Sequence, residues 1–237
     1  MNAFWLRVFA PFAAFRAFQA GAYRSTSPVI PPSAAYGVVL NLAGIEMRAL
    51  ADGLTTGLTT EIRSDIPRLR IAVGVEMEPE RASLYQQLHG HRVGKDDKAT
   101  RLAAMTKGSK YWIVPVRREL LVDYQGIIGV QTDDTSLRAR VEQGLTGALD
   151  TPRYGLPFAG DNNYLLDRVE VLNNPPANVL WYETFQPNSS PRKGTCRLTV
   201  GINRTNNSKT TSFLYAPTSE LSDAVWTWTP AEPALTS

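Results

Sequence analysis

Cysteine is all but missing. Cys196 is the only one in 237 residues, so no internal disulfide can form and nothing points to an oxidising compartment. Histidine is almost as scarce, with His89 and His91 alone, two residues apart. A metal site built on that pair needs further ligands; Cys196 is distant in sequence and no carboxylate stands at a recognised spacing. Neither sign of charge dominates. Lys and Arg total 25 against 22 Asp and Glu, giving a net charge of +3 and a pI near 9.0. That mildly basic balance permits nucleic acid as a partner without demanding it. A long apolar run is absent too. The Phe- and Ala-rich N-terminus is broken by Arg7, Pro11 and Arg16, which argues against a signal peptide or a membrane span and makes the cytoplasm the expected location. No repeat of solenoid or propeller period occurs, and no P-loop or dinucleotide fingerprint. What is left, 43% hydrophobic and 20% charged, is an ordinary globular composition with enough chain for one sizeable core or two small ones.

Within that composition, Phe9 to Gly44 is the organising stretch. Trp5, Leu6, Val8 and Phe9 form an apolar run suited to a buried strand, which Pro11 is expected to end. The loop from Ala14 to Ile30 carries Arg16, Gln19, Tyr23, Arg24, Ser25 and Thr26. Guanidinium forks, an aromatic face and hydroxyl or amide groups in one segment suit phosphate gripping and base stacking. Few acidic residues lie near Arg16 and Arg24, so an intrachain salt bridge explains them poorly. Pro31 and Pro32 then fix the backbone where a helix begins. Ala34, Val38, Leu42 and Ile45 follow at helical spacing, and Gly44 stands where a glycine cap ends the helix. Free N–H groups at such a helix start, near Ser33, form a ready anion site.

Further along, Leu54, Leu58 and Ile62 keep helical spacing within a threonine-rich connector that weakens any helix. Arg68 to Glu76 alternates as a strand. Glu78 to Lys110 is polar and glycine-broken, an excursion from the core carrying Arg92, Lys95 and Lys110. Tyr111 to Val122 returns to strand chemistry, with Pro115 arguing for an edge or a bulge, and Gly126 to Val130 reads as a separate strand. Thr135 to Leu149 reads as a helix with Leu137, Val141, Leu145 and Leu149 on one face. Tyr154 to Asn163 is a loop; strands are expected at 164–172, 179–185, 197–203, 211–215 and 225–229. A β-α-β opening with many strands and one further helix fits an α+β, ferredoxin-like half with a strand-rich remainder.

The segments Ala14-Phe15-Arg16, Tyr23-Arg24-Ser25-Thr26, Pro31-Pro32-Ser33 and Gly37, in that order and spacing, resemble the N-terminus of the CRISPR-associated Cas-five family of the RAMP superfamily. Ile113–Tyr124 and Tyr154–Leu172 resemble the same family, nearest its Dev-type or I-B-like branch. The resemblance implies a ferredoxin-like (RRM-like) RAMP palm over 1–77 and 111–237, with a thumb-like insertion over 78–110. It also implies a subunit of a type I Cascade surveillance complex without catalysis or cofactor. Such a subunit binds the 5′ handle of the CRISPR RNA and caps the Cas-seven filament beside the large Cas-eight-type subunit, with target DNA nearby through the complex. The RNA-binding residues expected from sequence and resemblance together are Arg16, Gln19, Tyr23, Arg24, Ser25, Ser33, His91, Arg92, Lys95, Lys110, Tyr111 and Arg117.

Alternatives stay open at several points. One branch of the family cuts precursor CRISPR RNA, so His89 or His91 with Tyr85 and a lysine could form a metal-independent endoribonuclease; the plainer reading is solvent-facing or RNA-contacting thumb residues. The glycines of Tyr154–Asn163 could bring amides against phosphate or simply make a turn. Arg117 and Arg118 should point to opposite faces, one toward RNA and one toward a carboxylate, unless both are edge charges that discourage strand pairing. Trp226 and Trp228 would share one side of a strand, as core or subunit interface.

Overall fold

The computed structural model describes residues 2–16, 23–48, 62, 63, 65–92, 104, 111–185, 188, 190, 192–203 and 209–231, with backbone alone for 88–92 and 111–114. The elements are β1 (Asn2–Ala13), β2 (Tyr23–Arg24), α1 (Pro32–Leu42), β3 (Leu69–Val75), β4 (Glu80–Arg92) and β5 (Tyr111–Thr132). They continue with α2 (Leu137–Thr146), β6 (Arg168–Leu172), β7 (Leu180–Thr184), β8 (Cys196–Gly201), β9 (Thr211–Thr218), a 3-10 turn (Asp223–Val225) and β10 (Thr227–Thr229). The protein is α+β: the described residues form one large, mostly antiparallel sheet with the helices α1 and α2.

The sheet order is β6-β1-β5-β3-β7-β9-β8, with β10 added to β3 and both β2 and β4 added to β5. β2 alone is parallel to its partner. β5 is the spine. β1 lies along one side of it from Asn2↔Thr132 to Ala13↔Leu121. β3 and then β4 share the other side, β3 opposite 126–131 and β4 opposite 111–122.

Alternation along β1 sorts the two faces. Phe4, Leu6, Val8 and Ala10 join Leu69, Ile71, Val73, Ile128 and Val130 in the main core under α1 and α2. Trp5 faces the other way into a smaller cluster with Trp181, Trp226, Ile127 and Val225. Its ring centroid lies 5.4 Å from Trp181 and 5.2 Å from Trp226.

α1 starts on Pro31 and Pro32 as expected and buries Ala35, Val38, Val39 and Leu42, positions three and four apart. It ends in a Schellman closure around Gly44, whose φ is +67°. The Gly44 N–H donates to the Asn41 carbonyl at 3.1 Å and the Ile45 N–H to the Leu40 carbonyl at 2.9 Å. α2 is shorter than the stretch expected; Gly147 (φ +74°) ends it three residues after Gly144. No helix among the described residues is long and apolar enough to cross a membrane.

Three readings from sequence need correction. Pro11 does not end β1, which runs on to Ala13. At that point β6 has stopped at Phe9↔Arg168 and Pro11 itself has no partner in the β5 ladder, so its missing N–H costs no sheet bond. The strands expected at 111–122 and 126–130 are one strand, β5, carried through Asp123 in a left-handed conformation (φ +50°). The polar stretch after Glu78 contains a long strand, β4, that pairs with β5 from Glu80↔Val122 to His89↔Ile113. Its side chains bury little: Arg81, Ser83, Leu84, Tyr85 and Gln87 are exposed, which hides the strand from a hydrophobic-pattern reading. The helical spacing noted at 54–62 falls mainly outside the described residues.

Candidate nucleic-acid interface

After β1 the chain forms the arginine-bearing loop, and both of its ends are fixed by buried polar contacts. The Phe15 N–H donates to the Thr26 hydroxyl at 2.8 Å, and the Ser27 N–H donates to the Phe15 carbonyl at 2.8 Å. The Thr26 N–H reaches the Glu119 carboxylate at 2.9 Å. Behind them the Phe15 ring meets Tyr124 edge-on at 5.0 Å, and the Tyr124 hydroxyl accepts the Ile30 N–H at 3.1 Å. Burial pushes the Tyr124 phenol well above its usual range, so it stays protonated at any physiological pH.

The second wall is the glycine-containing loop before β6. Gly160 has φ +86°, and a Cβ there would stand 2.3 Å from the Ala14 carbonyl oxygen and 2.7 Å from Phe15 Cδ1. Glycine alone fits so close an approach. The Ala14 N–H donates to the Ala159 carbonyl at 3.0 Å, joining this loop to the end of β1. Asp161 then ties the turn together, accepting the Asn163 backbone N–H at 3.0 Å and its side-chain amide at 2.8 Å.

The third wall comes from β5. Arg118 is mostly buried and makes a close ion pair with Asp161. It also donates to the Gln86 amide oxygen at 3.3 Å, with its guanidinium 5.9 Å from the Tyr164 ring. These walls enclose a cleft of about 340 Å³ whose polar lining includes Arg16, Arg24, Ser25, Arg118, Asp161 and Asn162. The charges do not cancel. Asp161 is matched by Arg118, and Glu119, which also borders the cleft, is matched by Arg81 at 3.1 Å. Arg16 and Arg24 have no carboxylate partner among the described residues. Two guanidinium forks left over in one polar cleft are the chemistry of a phosphate site.

A sequence profile described as "CRISPR-associated protein (Cas_Cas5)" matches residues 4–148, which covers the loop, α1, the hairpin of β4 and β5, and α2. The chain belongs to the CRISPR-associated Cas-five family. Comparison with curated proteins gives no match. Among solved structures, a chain of a "CRISPR RNA-guided surveillance complex" superimposes with a TM-score of 0.56 at 13% identity, over 92% of this chain and 90% of that one. A "Crystal structure of Cas protein" aligns at 12% identity and a TM-score of 0.48, over 92% of this chain and 94% of that one. At such identities the first likeness is one of fold.

In this Cas-five chain the residues singled out from sequence fall into separate groups. Arg16, Arg24 and Ser25 come together in the cleft, joined by the Tyr154–Asn163 loop from far along the chain. Tyr23 is exposed at its margin, its hydroxyl 3.5 Å from Glu119. Arg117 and Arg118 do point to opposite faces. Arg118 takes the carboxylate, and Arg117 is exposed, donating to the Ser83 hydroxyl at 3.2 and 3.1 Å. Ser33 does not reach the cleft. It lines a different cavity of about 290 Å³ beside Tyr36, Met47 and Ile202. At the helix start Val29 to Pro32 are buried, and the Pro31 carbonyl takes the Ala34 and Ala35 N–H groups at 2.9 Å.

Gln19, Lys95 and Lys110 lie outside the described residues. His91 and Arg92 stand on β4 and Tyr111 on β5 by backbone, with side chains outside the described ones, as is His89. Among the described residues no group of three His, Cys, Asp or Glu could hold a metal ion. Trp226 packs in the smaller cluster, whereas Trp228 on β10 is 41% exposed beneath Arg68. Since Trp5, Trp181 and Trp226 fill the sheet face opposite the helices, the middle of the sheet is not an open stacking platform. Sequence reading missed the parts played by Glu119 and Tyr124. The glycines of Tyr154–Asn163, read as either an amide cradle or a turn, were the signal for the second wall.

Proposed function

We propose that this chain is a non-catalytic, RNA-binding subunit of a type I CRISPR Cascade complex that holds the 5′ handle of the CRISPR RNA. The observation that carries the reading is the pair Arg16 and Arg24, unmatched by any carboxylate among the described residues, in a cleft whose walls are fixed before a ligand arrives. Family membership and the fold likeness to a surveillance-complex chain support it. In this reading β1-α1-β3-β5-α2-β6, with the sheet order β6-β1-β5-β3, is a ferredoxin-like palm, and the β4–β5 hairpin belongs to the thumb that reaches over the guide. The subunit caps the Cas-seven filament next to the Cas-eight-type subunit, and its working compartment is the cytoplasm.

The mechanism follows from the chemistry of the walls. The guanidinium forks take backbone phosphates, while splayed bases are read outside the cleft. The test replaces Arg16 and Arg24 together by alanine. Each phosphate neutralised contributes a slope of about 0.7 in log affinity against log salt for single strands. The double variant should stay folded, bind guide RNA more weakly and show a shallower salt slope; an unchanged slope would remove both arginines from the phosphate path.

The rival is a nuclease using His89 or His91 with Tyr85. Asp161 and Glu119, the acidic residues of the cleft, are committed to Arg118 and to Arg81, so they are poorly placed to act as a base. The isolated protein should leave repeat RNA uncut with or without divalent metal. Site-specific cutting abolished by His89→Ala or His91→Ala would reverse that.

A further inference from the structure

Tyr85 is 80% exposed on β4, an unusual place for a large aromatic with so little covering it. Its register explains what surrounds it. Tyr85 stands opposite Arg117 on one side of β5, and Tyr23 of β2 stands opposite the same Arg117 on the other. Register partners project from the same face of a sheet, so Tyr23, Arg117 and Tyr85 form one row across three strands. Neighbouring strands lie about 4.8 Å apart, which puts the two tyrosine backbones roughly 10 Å from each other with Arg117 on the strand between them. Tyr23 is itself 47% exposed. Arg117 makes no ion pair with a carboxylate among the described residues; its contact is the Ser83 hydroxyl. The next residues along, Arg24 and Arg118, alternate to the cleft side.

We infer that the Tyr23–Arg117–Tyr85 row is a stacking platform for single-stranded nucleic acid, binding base, phosphate and base in that order. It rests on the reading of that cleft as a phosphate site and extends it across the hairpin. Stacking on tyrosine tolerates any base because every base has a π-face, and the central cation supplies the charge complementarity. Ordinary cross-strand packing does not account for the row, since packing worth much stability would cover the ring of Tyr85. An apolar protein patch does not account for it either: the exposed neighbours of Tyr85 on its own strand and face are Ser83 and Gln87.

The experiment measures affinity of the full chain for a fluorescein-labelled 12-nucleotide RNA of mixed sequence, the same sequence as DNA, and the RNA made abasic throughout, each at several salt concentrations. The variants are Tyr85→Thr, which keeps a strand-favouring residue, and Tyr85→Phe, which keeps the ring. Tyr85→Thr should bind the mixed RNA about tenfold more weakly, with an unchanged salt slope and unchanged affinity for the abasic strand. Tyr85→Phe should bind within about twofold of the parent. Equal losses on RNA and DNA identify a general single-strand platform; a loss on RNA alone identifies the guide as occupant, and both support the row. Parent-like binding by Tyr85→Thr overturns it, as does failure of Tyr85→Phe to rescue. A variant that binds RNA normally but no longer joins the complex overturns it in favour of a protein contact. Failure of the cleft is distinguishable, because it shows as an unchanged salt slope in the Arg16/Arg24 double variant whatever Tyr85 does.

Discussion

Replacing Gly160 by alanine separates two costs that a loop glycine can hide. The first is torsional: Gly160 has φ +86°, and an L side chain in left-handed backbone costs about 1–2 kcal/mol. The second is steric. The new Cβ would lie 2.3 Å from the Ala14 carbonyl oxygen, a backbone atom in the closing turn of β1 that cannot swing aside like a side chain. Relief requires the loop to retreat and weakens the Ala14–Ala159 hydrogen bond, 3.0 Å long, worth about 1 kcal/mol net. The total is about 3 kcal/mol, which in a chain of this size lowers Tm by roughly 6–12 °C. Two controls isolate the terms. Gly155 also has positive φ (+68°), but nothing lies within 4 Å of the point where its methyl group would stand, so Gly155→Ala carries the torsional cost alone, about 1 kcal/mol. Gly37 sits inside α1 with open space around it, so Gly37→Ala should stabilise by about 1 kcal/mol. Urea and thermal unfolding of the three variants give the ordering Gly37→Ala above parent, Gly155→Ala slightly below, Gly160→Ala well below. Equal losses at Gly155 and Gly160 would refute the close approach of the two walls.

Two other perturbations read the same walls, and a third reads the turn after α1. Asp161→Asn leaves the mostly buried Arg118 without its counter-charge, so stability should fall by about 3 kcal/mol in urea unfolding while the added cleft charge steepens the salt dependence of RNA binding. Tyr124→Phe removes the acceptor of the buried Ile30 N–H and should cost about 1–3 kcal/mol without altering the salt slope. Hydrogen bonding from Arg48 holds the Glu46 carboxyl below the usual carboxylate range. Its contribution to stability is therefore present at neutral pH and lost as pH falls through the lowered value, so Glu46→Gln should lower stability modestly at neutral pH, leave it nearly unchanged in acid and so flatten the acid side of the profile.

Local signals in the sequence located what depends on local chemistry. Pro31 and Pro32 start α1 and Gly44 stops it, because fixed φ at one end and free φ at the other act within a few residues. The arginines at 16 and 24 stood out because nothing acidic in their own segment could neutralise them. Features set by distant partners were not legible. Asp123-Tyr124-Gln125 has the composition of a turn, yet β1 pairs with β5 through it, β4 and β3 pair with β5 before and after it, and Tyr124 is fully buried. The placing of Ser33 away from the cleft was illegible for the same reason: the helix-start pattern could not show that tertiary packing buries Val29 to Pro32 and sets Ser33 beside a different cavity. The cleft itself joins residue 14 to residue 160, and no local pattern announces a contact over that separation.

Those distant partners explain how two unmatched arginines can serve binding. Arg16 follows Phe15 directly, and Phe15 is held through its N–H, its carbonyl and its ring. Arg24 lies two residues before Thr26, which is held by its hydroxyl and by Glu119. The backbone of each arginine is therefore positioned before any phosphate arrives. Binding then costs mainly side-chain ordering, up to about 2 kcal/mol for each arginine, and avoids a further 1–2 kcal/mol or so for every residue of backbone that would otherwise be fixed. Tyr23 and Arg24, paired with Arg117 and Arg118, draw the same advantage from the ladder. One pair of neighbouring residues on each strand presents an aromatic-and-arginine row to one face and the cleft to the other. A nucleic-acid strand meeting either surface would find a geometry the sheet has already set.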